Sequence, residues 1–426
     1  MIRNSFRFGK KILDMYNRPC RKWFPTTGRF RALPRWRFPA ILSAKYMQVP
    51  YFTPTLGKAE EAALLRVIRS GWLTMGREVT SFEAETAAYC GARHAVAVNS
   101  CTAGLHLALL AAGLKPKQRV VVPVYTFTAS AGSILEAGGV PAFADIEPET
   151  LNIDWDSAGR AAGDGVGAVM PVDMAGLPVN YAAARRFAKK HSCRIVADAA
   201  HSLGAAVGKR RVGTLADFSC FSYYANKNMT TAEGGMVVTN DRRAADAMQK
   251  LRLHGMSKDA WKRYGKGGSW YYEIDRHGFK CNLNDILAAL GRAQLKRFDS
   301  MQAKRAKAAA WYDAEFSKMD EVILPPRRTG TTHAWHLYII RLRGSWASRR
   351  NDVIEYLNAH GIGTSVHFIP LCLQPFWRDR FKLKARDFPN AVAAYEAAIS
   401  LPMHPHLSRA QCKYVAKTLK DALTNV

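Results

Sequence analysis

Residues 95–138, AVAVNSCTAGLHLALLAAGLKPKQRVVVPVYTFTASAGSILEAG, decide the fold. AVAVN is a short β-type run and GLHLALLAAGL a helix-type one; RVVVPVYTF and ASAGSILEAG then repeat the pair. The first half, 95–114, is uncharged and nearly long enough to span a bilayer, but Asn99, Ser100, Thr102 and His106 interrupt it. The change of pattern inside it reads as strand, turn and buried helix instead. Further along, AVMPV (168–172), NYAAARRFAKKH (180–191) and RIVADAA (194–200) continue the rhythm. Short apolar strands separated by helices imply a parallel sheet covered on both faces.

Upstream, GKAEEAALLRVIRSG (57–71) places Ala62, Leu64, Leu65 and Ile68 at helical spacing, with Gly71 where a helix-ending glycine belongs. Downstream, FSCFSYY (218–224) and GGMVVTND (234–241) read as strands, and 284–299 as a helix. After about His336 the order becomes strand LYIIRL, helix RRNDVIEYLNAHG, strand GTSVHFIP and terminal helix SRAQCKYVAKTLKDAL. The expected fold class is α/β, with three parts: a basic extension over 1–46, a large domain over 47–300 with a mostly parallel sheet, and a smaller α+β domain over 301–426.

The chain has 426 residues, 48% hydrophobic and 23% charged, a globular composition. Its formal charge of +28 points to acidic partners of some kind, from nucleic acid or anionic membrane to phosphorylated small molecules. Residues 1–46 hold twelve Lys or Arg against Asp14 alone, leaving +17 on the rest. This stretch reads as an arm for membrane-surface or polyanion contact, as a tail without a core, or as translation from upstream of a start at Met47. The basic start is never followed by an apolar signal segment, and the eight cysteines form no C-x-x-C pair or metal-spaced cluster. A cytoplasmic chain with reduced thiols and no metal is expected.

Chemistry concentrates in 195–235, IVADAAHSLGAAVGKRRVGTLADFSCFSYYANKNMTTAEGG. Asp198 ends an apolar strand and Lys227 sits in a polar loop between two others, at the strand ends where such sheets bind ligands. Ser100, Cys101 and Thr102 lie at a strand-to-helix junction suited to an anion. Ser222 precedes Lys227 by five positions, and Phe127 follows a strand. Together these supply what pyridoxal phosphate (PLP) requires: an amine for its aldehyde, a carboxylate for its ring nitrogen, phosphate donors and a flat face for stacking. Taken singly, each has an ordinary reading as a solvated lysine, a turn aspartate or a helix cap.

From about Val49 to its end the sequence resembles the DegT/StrS-type sugar-nucleotide aminotransferases, PLP enzymes of fold type I. The likeness is carried by Asp198 to Ser202, Phe221, Ser222, Lys227 and Glu233 to Gly235, and by SGWLTMG (70–76), LRLHGMS (251–257), CNLNDILAALGRAQL (281–295), GIGTSVHFIP (361–370) and SLPMHP (400–405). The resemblance implies Lys227 as the Schiff-base lysine, Asp198 and His201 beside the cofactor, Thr102 and Ser222 on its phosphate, and Phe127 stacked on its ring. It further implies that Asn282 reaches the phosphate of a neighbouring subunit in a homodimer with shared sites. Trp72 and Thr74 would face the sugar, with His336 and His367 as further substrate contacts or structural histidines. Cys101, Met75, Arg77 and Cys281 depart from the common pattern. Related deoxysugar dehydratases carry His where this chain has Lys227, which favours transamination over that chemistry. The implied reaction moves an amino group from glutamate to a nucleotide-linked 4-keto sugar in bacterial surface-glycan synthesis. The rivals are a dehydratase or lyase on the same fold, and a polyanion-binding protein with an inert body; no nucleic-acid partner is expected.

Overall fold

Seven strands make the central sheet in the computed structural model, which describes residues 46–257 and 270–425. The readings of the basic extension at 1–46 lie outside these residues, Tyr46 apart. In spatial order the strands are β1 (His94–Val98), β9 (Gly235–Thr239), β8 (Phe218–Ser222), β5 (Arg194–Asp198), β4 (Val166–Val169), β2 (Arg119–Pro123) and β3 (Val140–Ala144). β2 pairs parallel with β3 and β4, β4 with β5, and β5 with β8; β9 runs antiparallel to both β8 and β1. A parallel neighbour needs a crossover, typically a helix. The loop between β8 and β9 has none, so the chain turns straight back, and that loop carries Lys227.

Alternation within each strand fills both faces of the sheet. Val96, Val98, Val120, Val122, Val196, Phe218, Cys220 and Val237 pack on one side. Ala95, Ala97, Val121, Ile195, Ala197, Phe221, Met236 and Val238 pack on the other. Each fully buried aliphatic side chain contributes about 1.5–3 kcal/mol, which is why continuous apolar runs appear where a half-exposed sheet would alternate with polar residues. β3 is not among the strands read from the sequence, and it contains Pro141. The proline is tolerated at an edge, where a missing N–H costs no pairing.

Several helices begin where capping residues stand: Ser100, Asn180, Asp241 and Asn284 each accept a backbone N–H of the first turn that follows. The helix Lys58–Ser70 ends at Gly71 with φ 71°, as expected. Its burial differs from expectation: Leu65 and Ile68 are 48% and 55% exposed, while Val67 is buried. The apolar face read from the sequence therefore points away from this chain's own core.

A smaller antiparallel sheet orders β10 (Val322–Ile323), β12 (Tyr338–Leu342) and β13 (Ala398–Leu401). Its core includes Tyr312, Phe316, Ile340, Leu357, Ile399 and Leu419, from these strands and the helices Phe298–Phe316, Arg350–Ala359 and Arg409–Asn425. A third sheet joins β6 (Ala206–Val207), β7 (Arg210–Arg211) and β11 (Thr331–Thr332). GTSVHFIP is not a strand. Only Ser365 pairs, bridging Ser400, and the rest bonds elsewhere: Gly363 N donates to Val49 O, and Tyr125 Oη donates to His367 O at 2.6 Å. Those bonds outside a ladder carry His367 toward the ends of the large sheet.

One buried ion pair ties this architecture together. Glu83 and Arg252 face each other at 8% and 5% exposure, and each also bonds the β1 backbone. Ala97 N donates to Glu83 Oε1 (2.8 Å), and Arg252 Nη1 donates to Ala97 O (2.7 Å). Removing one member of a buried pair leaves the other uncompensated, at a cost of about 3–5 kcal/mol. Glu83→Ala should therefore lower unfolding free energy by ~3–5 kcal/mol in urea titration, with Glu83→Gln losing less because its amide oxygen still accepts from Ala97 N.

Candidate active site

Beyond the carboxyl ends of the parallel strands lies a cavity of about 400 Å³. Ser100, Cys101 and Thr102 reach it after β1, Thr126 and Phe127 after β2, Val172 after β4, Asp198 and His201 from the end of β5, and Ser222, Asn226 and Lys227 from the end of β8. His336, His367 and Phe368 close the other wall. A parallel sheet gathers residues distant in sequence because its loops emerge along one edge.

Lys227 is half-buried, and its Nζ lies 3.5 Å from His336 Nε2. Burial pushes its pKa down to about 8, while Asp198 and Cys101 pull it back up. Burial also holds His201 and His336 well below the usual histidine range, with the Lys227 charge adding to the effect. His367 is lowered to about 4 for the same two reasons. At neutral pH Lys227 thus faces three uncharged imidazoles. His201 and His336 lie 4.4 Å apart between ring centroids, and His367 Nδ1 sits 2.9 Å from Ser400 Oγ.

Asp198 is buried at 6% exposure. Ser130 Oγ donates to its Oδ2 at 2.7 Å, and Ala200 N donates to its Oδ1 at 3.1 Å. Since Ser130 gives its proton to Asp198, the 2.7 Å contact with Thr126 must run from the threonine hydroxyl to Ser130. Burial raises the Asp198 carboxyl above its ordinary value, with these donors and Lys227 opposing. Among the described residues it has no ion-pair partner.

Ser100 caps the helix Cys101–Ala111, its Oγ accepting from Ala103 N at 3.1 Å. Gly235 closes against this turn: a Cβ there would lie 2.6 Å from Cys101 N and from Ser100 C and O, all backbone atoms that cannot swing aside. Gly235→Ala should therefore force β9 off the helix terminus at a cost of about 1–3 kcal/mol. The expected result is a lower unfolding midpoint together with weaker PLP retention in equilibrium dialysis.

The remaining sequence candidates are placed unevenly. Phe127 is 58% exposed at the rim, its ring 5.9 Å from that of Phe368, and Ser222 is half-buried in the wall. Trp72, Thr74 and Asn282 do not line the cavity of their own chain. Trp72 borders a separate groove with Arg66, Glu78 and Arg292; Thr74 O accepts from Asp285 N; and Asn282 bridges Val98, its side chain accepting from Lys280. Sequence reasoning missed Ser130, Thr126, Asn226 and Phe368. The only signal for Ser130 was a small polar residue in an apolar helix, the usual sign of a buried hydrogen bond.

A mostly parallel sheet with a lysine and a buried aspartate meeting at its carboxyl edge is the architecture of fold-type-I aminotransferases. The model of the DegT/DnrJ/EryC1/StrS aminotransferase family matches residues 54–420, and the chain belongs to this family. It is 42% identical over 375 residues to the spore coat polysaccharide biosynthesis protein SpsC of Bacillus subtilis, covering 88% of this chain and 96% of that one. Among solved structures it superposes on the sugar aminotransferase candidate Spr1654 of Streptococcus pneumoniae in its PMP form, with a TM-score of 0.82, 31% identity, and 88% and 99% of the two chains covered. It superposes equally on Helicobacter pylori PseC, an aminotransferase of pseudoaminic acid biosynthesis, with a TM-score of 0.82, 30% identity, and 89% and 100% covered. Spr1654 has also been solved in a PLP form.

The residues present fit PLP. Asp198 is a buried carboxylate without an ion pair, and His201 Nδ1 and Asn226 Oδ1 are buried in the cavity wall without hydrogen-bond partners, all among the described residues. Ser100, Cys101 and Thr102, at the start of the helix Cys101–Ala111, line the same cavity. Such groups await a ligand with a cationic ring nitrogen, polar substituents and an anionic tail.

Proposed function

We propose that this PLP-dependent aminotransferase moves an amino group from glutamate to a nucleotide-linked keto sugar, with the ketone at C4, by a ping-pong sequence. The observation that carries this reading is the convergence of Lys227 and Asp198 on one cavity with the capped turn at Ser100. Bound PLP supplies an electron sink for the carbon that gains or loses the amine. Lys227 Nζ holds the cofactor between turnovers and, once released, carries the proton to and from that carbon; a pKa near 8 leaves it able to do both at neutral pH. Asp198 keeps the ring nitrogen cationic, with Ser130 and Ala200 N fixing its carboxylate. Thr102, Ser222 and backbone N–H groups at the start of the helix Cys101–Ala111 would hold the phosphate, while Phe127 would stack on the ring and His201 would lie beside the cofactor.

The working unit is a homodimer. Leu56, Leu65, Ile68 and Leu73 form an exposed apolar set around the helix Lys58–Ser70, and Trp72, Thr74 and Asn282 lie outside their own cavity. Pairing would bury the first set and bring the second to a partner's site. Sedimentation should give twice the 47.3 kDa chain mass. We further place the cofactor in a large part, 47–300, and His336 and His367 in a small one, 301–426. The site of action is cytoplasmic, in surface-glycan synthesis. No helix among the described residues is long and apolar enough to cross a membrane, and the described cysteines are free thiols.

The deciding experiment incubates the purified protein with PLP, glutamate and a panel of UDP-, GDP- and dTDP-linked 4-keto sugars. Amino-sugar formation with release of 2-oxoglutarate is expected from at least one of them. PLP uptake without any glutamate-dependent half reaction would point to the dehydratase or lyase chemistry instead.

A further inference from the structure

One backbone carbonyl determines the protonation of the group facing Lys227. Ala334 O accepts from Asn228 Nδ2 at 2.6 Å and from Gln302 Nε2 at 2.9 Å. A carbonyl carries no proton, so both side-chain amides must turn their NH₂ groups toward it; the flipped orientations would set oxygen against oxygen. Gln302 Oε1 then accepts the second N–H of Asn228 at 2.9 Å. That leaves Asn228 Oδ1 as the atom facing His336 Nδ1, at 3.0 Å. An amide oxygen only accepts, so Nδ1 holds the proton of this buried, neutral ring. Nε2 is a bare lone pair, and it is the atom 3.5 Å from Lys227 Nζ.

The frame around the ring is rigid. His336 N donates to Ala175 O at 3.0 Å, and Asn228 and His336 are 7% and 5% exposed. Gln302 belongs to the helix Phe298–Phe316, so an element outside the cavity reaches the lysine through two amides and an imidazole.

We propose that Asn228 and Gln302 are positioning residues that lock His336 in its Nδ1–H tautomer, so that its Nε2 accepts a hydrogen bond from Lys227 and holds the freed amine at the cavity wall. The inference rests on Lys227 being the reacting amine, and it assigns His336 to the lysine rather than to the sugar. Packing alone would tolerate either tautomer; an acceptor for an amine requires one. Asp198, His201 and His367 also face this amine, but its hydrogen-bond contact is with His336.

The test is ¹⁵N NMR of the histidine-labelled apo protein, with the ring of His336 assigned through His336→Gln. A protonated Nδ1 and a bare Nε2 are expected in the wild type; a proton on Nε2 overturns the proposal. Asn228→Leu should mix the tautomers and lower kcat of the glutamate half reaction about tenfold, the loss of one hydrogen bond, with KM for glutamate held within about twofold. Gln302→Met, which leaves Asn228 on Ala334 O, should show the smaller change. An unaltered tautomer in a folded Asn228→Leu protein would refute the relay. Failure of the chain to take up PLP would instead sink the reading of Lys227, with the tautomer still measurable.

Discussion

Lys227→Ala is expected to abolish amino transfer while leaving the fold intact. Loss of the proton carrier alone lowers the rate about 10²–10⁴-fold, and loss of the covalent hold on PLP adds to it. Lys227→Arg should fail as completely, since a guanidinium keeps the charge but neither attacks an aldehyde nor gives up a proton at neutral pH. Amino-sugar formation surviving in Lys227→Ala would refute the mechanism. The same side chain predicts a pH profile. Only the neutral amine attacks the aldehyde, so PLP uptake by the apo protein, followed by absorbance, should rise with pH and level off above about 8. An exposed lysine would keep rising toward about 10.4. Stability should follow the same displacement. The folded pKa lies below the unfolded 10.5, so the unfolded chain binds more protons between about 8 and 10.5. This group's contribution therefore rises with pH across that window, and its penalty is complete below it.

Asp198→Asn should separate catalysis from stability. Replacing the carboxylate removes the charge that keeps the ring nitrogen cationic, and turnover should fall about 10²–10³-fold, the scale of losing one preorganised electrostatic group. The apo protein should be no less stable, because burial raises the Asp198 carboxyl and the charged form is therefore a cost to the fold. The sign follows from linkage: a raised folded pKa means the folded state binds the proton more readily, so stability declines as pH rises through the window above the ordinary 3.8. Asparagine removes that decline. With PLP present the order should reverse, the wild type gaining more in melting temperature than the variant. Equal gains would mean that the carboxylate does not meet the ring nitrogen.

Much of this site was legible in the sequence because its chemistry is written in residue types at strand ends. Asp198, Lys227, Ser222 and the turn at Ser100 could be named from an apolar run followed by a polar residue, and all four line the cavity. Ser130 could not, since its role depends on a helix from one crossover lying beside a strand from another. His336 and His367 were uncertain for the same reason: whether a histidine serves structure or an amine depends on what lies within 3.5 Å of it, and spacing along the chain does not record that.

Composition and periodicity alone determined the α/β class, the capped helices and the covered sheet, because burial and capping are local demands repeated along the chain. Tertiary structure decided three things the string could not. β9 runs antiparallel because its short connection folds straight back. GTSVHFIP leaves the ladder because its backbone finds partners on Val49 and Tyr125. The helix Lys58–Ser70 turns Leu65 and Ile68 outward because its own core is met by Val67. In each case the outcome is set by which hydrogen-bond and packing partners arrive from far along the chain, and only the folded arrangement supplies them.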